Sequence, residues 1–457
     1  MQSKQLTGRP ERVLSVMAFL LGLLHIVQTY WYHFQPFNVL WIAEAVLLPA
    51  VVALGGYCVL KAVRGGTRMP PETLCAAALA TLALVSVLAS LRWDGDIYFS
   101  YNRVMLIDVA IDLLVMLPLP LLARRNGLGW LALMTARILA AVVSLWTLWL
   151  LIEVFLHQQT TAFGSAVGML NGKNLTVVFH YNTVASFFST LLMVCVLFAF
   201  RARHMAERIG WIAAALVNNV ALVLTQSRTC ILACIGALAL TALMLVEANG
   251  RPWKALTRHL LGLAAAAVTA VALYLFQKVV FSLLHACWAA NGIETADASG
   301  VRSVGVDANV TGRFLLWKAA LQAMVTGKRY FLFGSSPNGV ISRITSFYLL
   351  ARGGYYTHNQ FLEIGVAYGV PALLVYIVYC VLTARSCLRI LFAGRDRVTP
   401  AERFVPLAVL MIVVANLMEA FLLAQMTITG VVFFLLGGWC MDRARRLPKL
   451  TLSVKKE

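Results

Sequence analysis

His358 opens the stretch THNQFLEIGVAYGVPAL, where a long apolar run begins, which puts an imidazole near a boundary between water and hydrocarbon. A neutral imidazole at such a place can accept a proton from an attacking hydroxyl near neutral pH. The competing reading is a histidine that caps a helix or bonds a carbonyl. Asn359 follows it directly, and Glu363 stands five residues on. On one shared helix that spacing is about 140° of rotation, which would leave Glu363 unable to orient the imidazole. Arg313 lies four residues before Trp317 in VTGRFLLWKAALQ, so one helix face carries a guanidinium beside an indole suited to headgroup depth. Arg228, in ALVLTQSRTCILACIGAL, sits between two apolar runs with almost no loop around it; such a cation either snorkels or binds an anion at the membrane surface.

Weaker candidates accompany these three. His180 and Asn182, in FHYNTVASFF, are polar groups at the depth where a lipid headgroup would enter, or they satisfy helix ends. Glu44, Asp108, Asp112, Arg137, Glu153 and Glu419 fall within apolar runs, so each must be paired or line an aqueous cavity. Asp108 and Asp112 share a helix face, and pairing with Arg103 or Arg137 is favoured over a metal because no further ligand cluster accompanies them. Arg137 and Asn359 are also counted among the groups that would contact a substrate. No metal and no cofactor are expected.

The elements that must position these groups are apolar helices. Hydrophobic residues make up 61% of 457 positions and charged residues 12%, against about 25% charged in a typical soluble protein, which places the chain in a bilayer. Runs long enough to cross about 30 Å of hydrocarbon recur near 13–31, 38–60, 72–91, 103–122, 130–156, 176–200, 209–226, 229–247, 259–285, 359–384, 404–424 and 426–441. The expectation is an all-α polytopic membrane protein of about twelve transmembrane helices. Lys and Arg cluster in alternate loops, for example Lys61, Arg64 and Arg68, then Arg124 and Arg125, then Arg201, Arg203 and Arg208, with further groups before 403 and after 443. By the positive-inside rule both termini lie in the cytoplasm. The net charge of +19 is thus mainly a topology signal, and nucleic acid is not an expected partner. A first apolar run that continues as a spanning helix argues against a cleaved signal peptide. Cysteines lie mostly within spans and form neither a disulfide framework nor a zinc pattern.

One segment departs from this plan. From 286 to 358 the chain is mixed, glycine-bearing and basic, and it lies on the outer side; the division expected is 1–285 for nine spans, 286–358 for a loop subdomain, and 359–457 for three spans and a basic tail. Within it a helix is expected from a cap at Thr311 to about Thr326, ending at Gly327 and lying amphipathically at the interface, followed by the glycine-bounded turn FGSSPNG. Arg302, Arg313, Lys318, Lys328, Arg329, Arg343 and Arg352 outnumber Glu294, Asp297 and Asp307, a surface suited to phosphate-bearing ligands or to anionic headgroups.

Taken together, TQSRTCILA at Arg228, TGRFLLWKAAL at Arg313 with the FGSSPNG turn, and THNQFLEIGVAYG at His358 resemble the signature of the bacterial O-antigen ligase and polymerase superfamily. The turn departs from the Gly-x-Gly often found there. The resemblance implies a GT-C-like membrane glycosyltransferase of the inner membrane, with its active site in a large periplasmic loop. It implies His358 as general base and Arg228 and Arg313 as diphosphate ligands, with His180 and Asn182 resembling a looser polar motif; Trp317, Arg137 and Asn359 are expected beside them around the substrate. The implied donor is an undecaprenyl-diphosphate-linked glycan, and among acceptors lipid A-core is preferred over a second lipid-linked repeat or a protein hydroxyl. A flippase or transporter would need charge along a path to both faces, whereas the candidate groups cluster outside.

Overall fold

The computed structural model describes residues 71–93, 129–156, 167–170, 174–177, 181–248, 255–291, 309–337, 339–347, 357–393, 397–417 and 428–447, with three isolated positions, 13, 53 and 64. The described chain is helical: α1 (Pro71–Trp93), α2 (Gly129–Phe155), α3 (Tyr181–Arg201), α4 (Met205–Thr225), α5 (Arg228–Ala248), α6 (Ala255–Ala290), α7 (Asn309–Val325), α8 (Lys328–Phe333), α9 (Val340–Thr345), α10 (Gln360–Tyr368), α11 (Val370–Leu391), α12 (Pro400–Ala415) and α13 (Ile428–Arg446). One antiparallel hairpin, β1 (Val167–Leu170) with β2 (Asn174–Val177), departs from the all-α expectation.

Five helical stretches, Leu133–Phe155, Val184–Arg201, Met205–Thr225, Leu260–Ala290 and Val370–Leu391, are long and apolar enough to cross a membrane. On them, large apolar side chains such as Leu145, Leu216, Val268, Val271 and Val381 face outward. Exposed aliphatic side chains in such number suit lipid. This is a multi-pass membrane protein. The expected spans before residue 71 and at 103–122, with Asp108 and Asp112, lie outside the described residues.

The bundle has two chemically different ends. Helix α3 is buried nearly all round, from Val184 to Phe198, and a three-residue connection folds α4 back along it. At the end where α3 stops, Phe200 stacks on Phe404 near the start of α12 (centroids 4.5 Å apart). Closer to the α3 start, Cys234 of α5 lies 3.9 Å from the Ser189 carbonyl and 3.7 Å from the Met411 sulfur. Helix α12 therefore runs antiparallel to α3, and its C-cap Asn416 comes level with the α3 start and with Arg228. The α13 start joins the same end through Thr429, 3.2 Å from Ser186.

The opposite end is tied by ion pairs: Arg137 of α2 to Glu207 of α4 at 2.5 Å, Arg443 of α13 to Glu402 of α12 at 3.0 Å, and Arg445 of α13 to Glu72 of α1. Thr399 and Glu402 form a capping box there, with Pro400 in the first turn of α12, so the sequence PAER starts that helix as local chemistry requires. Although burial alone would raise it, hydrogen bonds from Thr399 and Arg443 hold the Glu402 carboxyl below its ordinary range.

Two sequence expectations are revised. The run 359–384 is two helices, because Gly369 (φ 90°, ψ 166°) breaks α10 from α11 and Pro371 starts the second one. Helix α6 continues to Ala290, past the end expected for that apolar run at 285.

Candidate functional site

His358 stands outside any helix. Helix α10 starts at Gln360, and Asn359 is its N-cap, with Oδ1 accepting from the amides of Phe361 (2.9 Å) and Leu362 (3.1 Å). Asn359 Nδ2 also donates to the Leu417 carbonyl (2.9 Å), and the Gln360 amide donates to the Asn416 carbonyl (2.9 Å), so the turn is fastened to the C-terminus of α12. His358 itself has φ 50°, a left-handed conformation that histidine adopts more readily than branched residues, at a cost of about 1–2 kcal/mol that the surroundings must hold. The helical spacing argument against Glu363 fails for that reason: His358 and Glu363 do not share a helix. The Glu363 carboxylate instead folds back on the turn, Oε2 accepting from the Thr357 amide (3.1 Å) and lying 2.7 Å from Thr357 Oγ1. Glu363 is 1% exposed, and burial raises its carboxyl above the ordinary value against the opposing Thr357 hydrogen bonds.

The Arg313 helix is pinned to the same turn. Trp317 Nε1 donates to the Thr357 carbonyl at 3.0 Å. Arg313 precedes Trp317 by four residues, about 6 Å of rise on the same face of α7. The helix runs from Asn309 rather than from a cap at Thr311 and ends before Gly327 (φ 99°), as the glycine suggests. Its core face, Leu316, Ala319, Ala320, Ala323 and Met324, is buried, while Phe314, Leu315, Leu321 and Val325 remain exposed. Arg343 of α9 donates to the carbonyls of Ala323 (3.3 Å) and Thr326 (2.6 Å) and lies 3.6 Å from the Tyr330 ring centroid. This cation of the basic segment is therefore a helix cap, with burial drawing its guanidinium below its ordinary value.

The FGSSPNG turn has a structural task that follows from the helix break. Pro371 has no amide hydrogen and Gly369 turns the chain, so the carbonyls of Val366 and Ala367 lose their helical donors. The Ser335 and Ser336 amides take them at 2.8 and 2.9 Å, and Ser86 Oγ from α1 also donates to Ala367 (2.9 Å). Ser336 adopts φ 62°, and its buried hydroxyl has no hydrogen-bond partner among the described residues.

Arg228 begins α5, exposed, after a two-residue turn in which Gln226 has φ 52° and the Thr225 hydroxyl accepts from the Ser227 amide (3.3 Å). Ser227 is 2% exposed, and its hydroxyl makes no hydrogen bond among the described residues, so it does not cap the helix. Arg228 thus lies at the bundle end that also holds the α12 C-terminus and the His358 turn. Asn182 falls in the first turn of α3 at this end, and His180 lies outside the described residues. Arg137 does not join them. It is at the opposite end, paired with Glu207 and set 5.9 Å from the Trp211 ring centroid.

An imidazole at a rigid turn, with guanidiniums on elements at the same end, can serve proton transfer beside a bound anion. Thr357, Glu363 and Asn416 were not legible as parts of this arrangement; only the proximity of Thr357 to His358 in the chain pointed toward one of them.

Residues 212–377 match the family described as O-antigen ligase. That segment holds Arg228, Arg313, Trp317 and His358 with the turns that fasten them, and it bears out the resemblance to the O-antigen ligase superfamily. No curated protein matches the chain. Residues 212–377 are thus similar to a family of O-antigen processing, in a chain whose apolar helices cross a membrane several times.

Proposed function

We propose that this protein, carrying the segment shared by O-antigen ligases, transfers a glycan from undecaprenyl diphosphate to a sugar hydroxyl of lipid A-core at the periplasmic face of the inner membrane. The observation that supports it most is the hydrogen bond from Trp317 to the Thr357 carbonyl, which joins the Arg313 helix to the His358 turn at the bundle end that also carries Arg228. The other end gathers the basic loops, which by the positive-inside rule face the cytoplasm.

In this reading His358 removes the proton from the acceptor hydroxyl as its oxygen attacks the anomeric carbon. The bond from that carbon to the diphosphate oxygen breaks on the opposite face, inverting the configuration. The electron pair leaves with the diphosphate, and Arg228 and Arg313 stabilise the charge that gathers there. Asn359 fixes the base by capping α10, and Trp317 anchors α7 to the turn before His358. A general base contributes about two to four orders of magnitude in rate, and paired guanidiniums supply charge stabilisation without requiring a metal.

The test is transfer from a polyprenyl-diphosphate-linked glycan by the purified full-length protein in liposomes, with lipid A-core or a second lipid-linked glycan as acceptor. His358→Ala should abolish product while the protein remains in the membrane. Product on the second lipid-linked glycan alone would make the protein a polymerase, and wild-type turnover by His358→Ala would reject the assignment of the base.

A further inference from the structure

Glu363 is an unexplained buried carboxylate. It is 1% exposed, yet Oε2 carries both contacts with Thr357, and Oε1 has no hydrogen-bond partner among the described residues. A carboxylate held away from water with half its acceptor capacity unused is costly to keep, and nothing in the packing of α10 requires one. Ile364, Val366 and Ala367 are buried along the same helix.

The position of its contacts is informative. Thr357 is the residue before His358, and it is held from three directions. Its carbonyl accepts from Trp317 (3.0 Å), its amide donates to Glu363 (3.1 Å), and its hydroxyl lies 2.7 Å from Glu363 Oε2, 2.8 Å from the Asn359 carbonyl and 3.2 Å from the Asn359 amide. The left-handed backbone of His358 is thus clamped between a residue bonded to Glu363 and the N-cap of the helix that carries Glu363. Burial raises the Glu363 carboxyl above its ordinary value, and the hydrogen bonds from Thr357 and the nearby His358 oppose that rise and favour the charged form.

We infer that Glu363 is a positioning residue for His358: it holds the Thr357–His358 turn in its left-handed form, and its buried charge offsets the imidazolium formed when His358 takes the acceptor proton. The inference rests on the function proposed above. Glu363 neither gains nor loses a proton in the step. The proton passes from the acceptor hydroxyl to His358 while the glycosidic bond to the acceptor forms and the bond to the diphosphate breaks. Such a partner acts when charge develops on the imidazole, so its loss lowers the rate of the chemical step rather than the binding of donor.

The experiment compares Glu363→Gln, Thr357→Val and Thr357→Ser in full-length protein, using the same lipid-linked donor and measuring kcat and donor KM separately. Glutamine keeps the shape and an acceptor oxygen while removing the charge. It should lower kcat about 10- to 100-fold, the effect of one charge-assisted hydrogen bond, with donor KM within about twofold of wild type. Thr357→Val should lose kcat similarly, and Thr357→Ser, which restores the hydroxyl, should recover most of it. Should Glu363→Gln fail to fold, the valine and serine pair decides: equal turnover in both overturns the inference. Wild-type kcat in Glu363→Gln, with His358→Ala inactive, overturns it and leaves the proposed function standing. An active His358→Ala overturns both.

Discussion

Replacing Gly334 by alanine tests whether the FGSSPNG turn is a structural wedge in the helix break. Gly334 has φ 71° and ψ −163°, a conformation nearly closed to residues with a Cβ, which costs about 1–3 kcal/mol on substitution. The added Cβ would also lie 2.3 Å from the Ala367 carbonyl oxygen and 2.5 Å from the Tyr368 amide nitrogen, backbone atoms that cannot swing aside. The approach is mutual, for a Cβ on Gly369 would lie 2.5 Å from the Leu332 carbonyl oxygen. Relief requires the turn to withdraw from α10, which breaks the Ser335 and Ser336 amide bonds to Val366 and Ala367. At about 1 kcal/mol each, these bring the total to about 3–5 kcal/mol. Hydrogen exchange at the Ser335 and Ser336 amides should accelerate by about two to three orders of magnitude. Transfer activity should fall as well, because the Thr357 turn and α7 pack on the same helix. Gly210→Ala is the control: it lies in α4, no atom comes within 4 Å of its added Cβ, and the change should stabilise by about 0.5–1 kcal/mol. Wild-type amide protection in Gly334→Ala would refute the wedge.

Arg137→Gln should leave turnover within about twofold and lower stability by no more than about 1 kcal/mol, since its ion pair with Glu207 is part-exposed (43% and 28%) at the end remote from His358; a loss of transfer without unfolding would return Arg137 to the substrate. Trp317→Phe removes the donor to the Thr357 carbonyl while keeping most of the aromatic area. We expect kcat to fall about tenfold, and an unchanged rate would sever the link between α7 and the base. Arg313→Lys keeps the charge and loses the two-pronged geometry, so donor affinity and rate should both drop in the liposome assay. Chelator should not change turnover if guanidiniums alone neutralise the leaving group; inhibition reversed by a divalent cation would contradict that mechanism. At the basic end, the stability contributed by the Glu402 contacts, whose carboxyl is held low, is complete above the ordinary carboxylate range and lost as pH falls through the folded value. An acid midpoint identical in Glu402→Gln and wild type would count against it.

Local chemistry was legible along the chain. Apolar runs marked the helices and Gly327 marked the end of α7, because hydrophobicity and glycine conformation act over a few residues. His358 and Arg228 were singled out as polar side chains beside apolar runs, and Arg313 by its spacing to Trp317 and by the family resemblance. What the linear text concealed were relations between distant segments. Periodicity carried through 359–384 as a single span, yet Gly369 and Pro371 divide it, and the carbonyls so released are satisfied by Ser335, Ser336 and Ser86. Arg343 reads as a surface cation and is a helix cap; Arg137 reads as a candidate ligand and pairs with Glu207 at the opposite end. Glu363 was set aside by a helical angle that does not apply, since the backbone turns left-handed at His358 before the helix begins. Hydrogen-bond partners drawn from elements tens or hundreds of residues apart are assigned when helices pack, and that packing ties Trp317 of α7 and the end of α12 to the turn at His358.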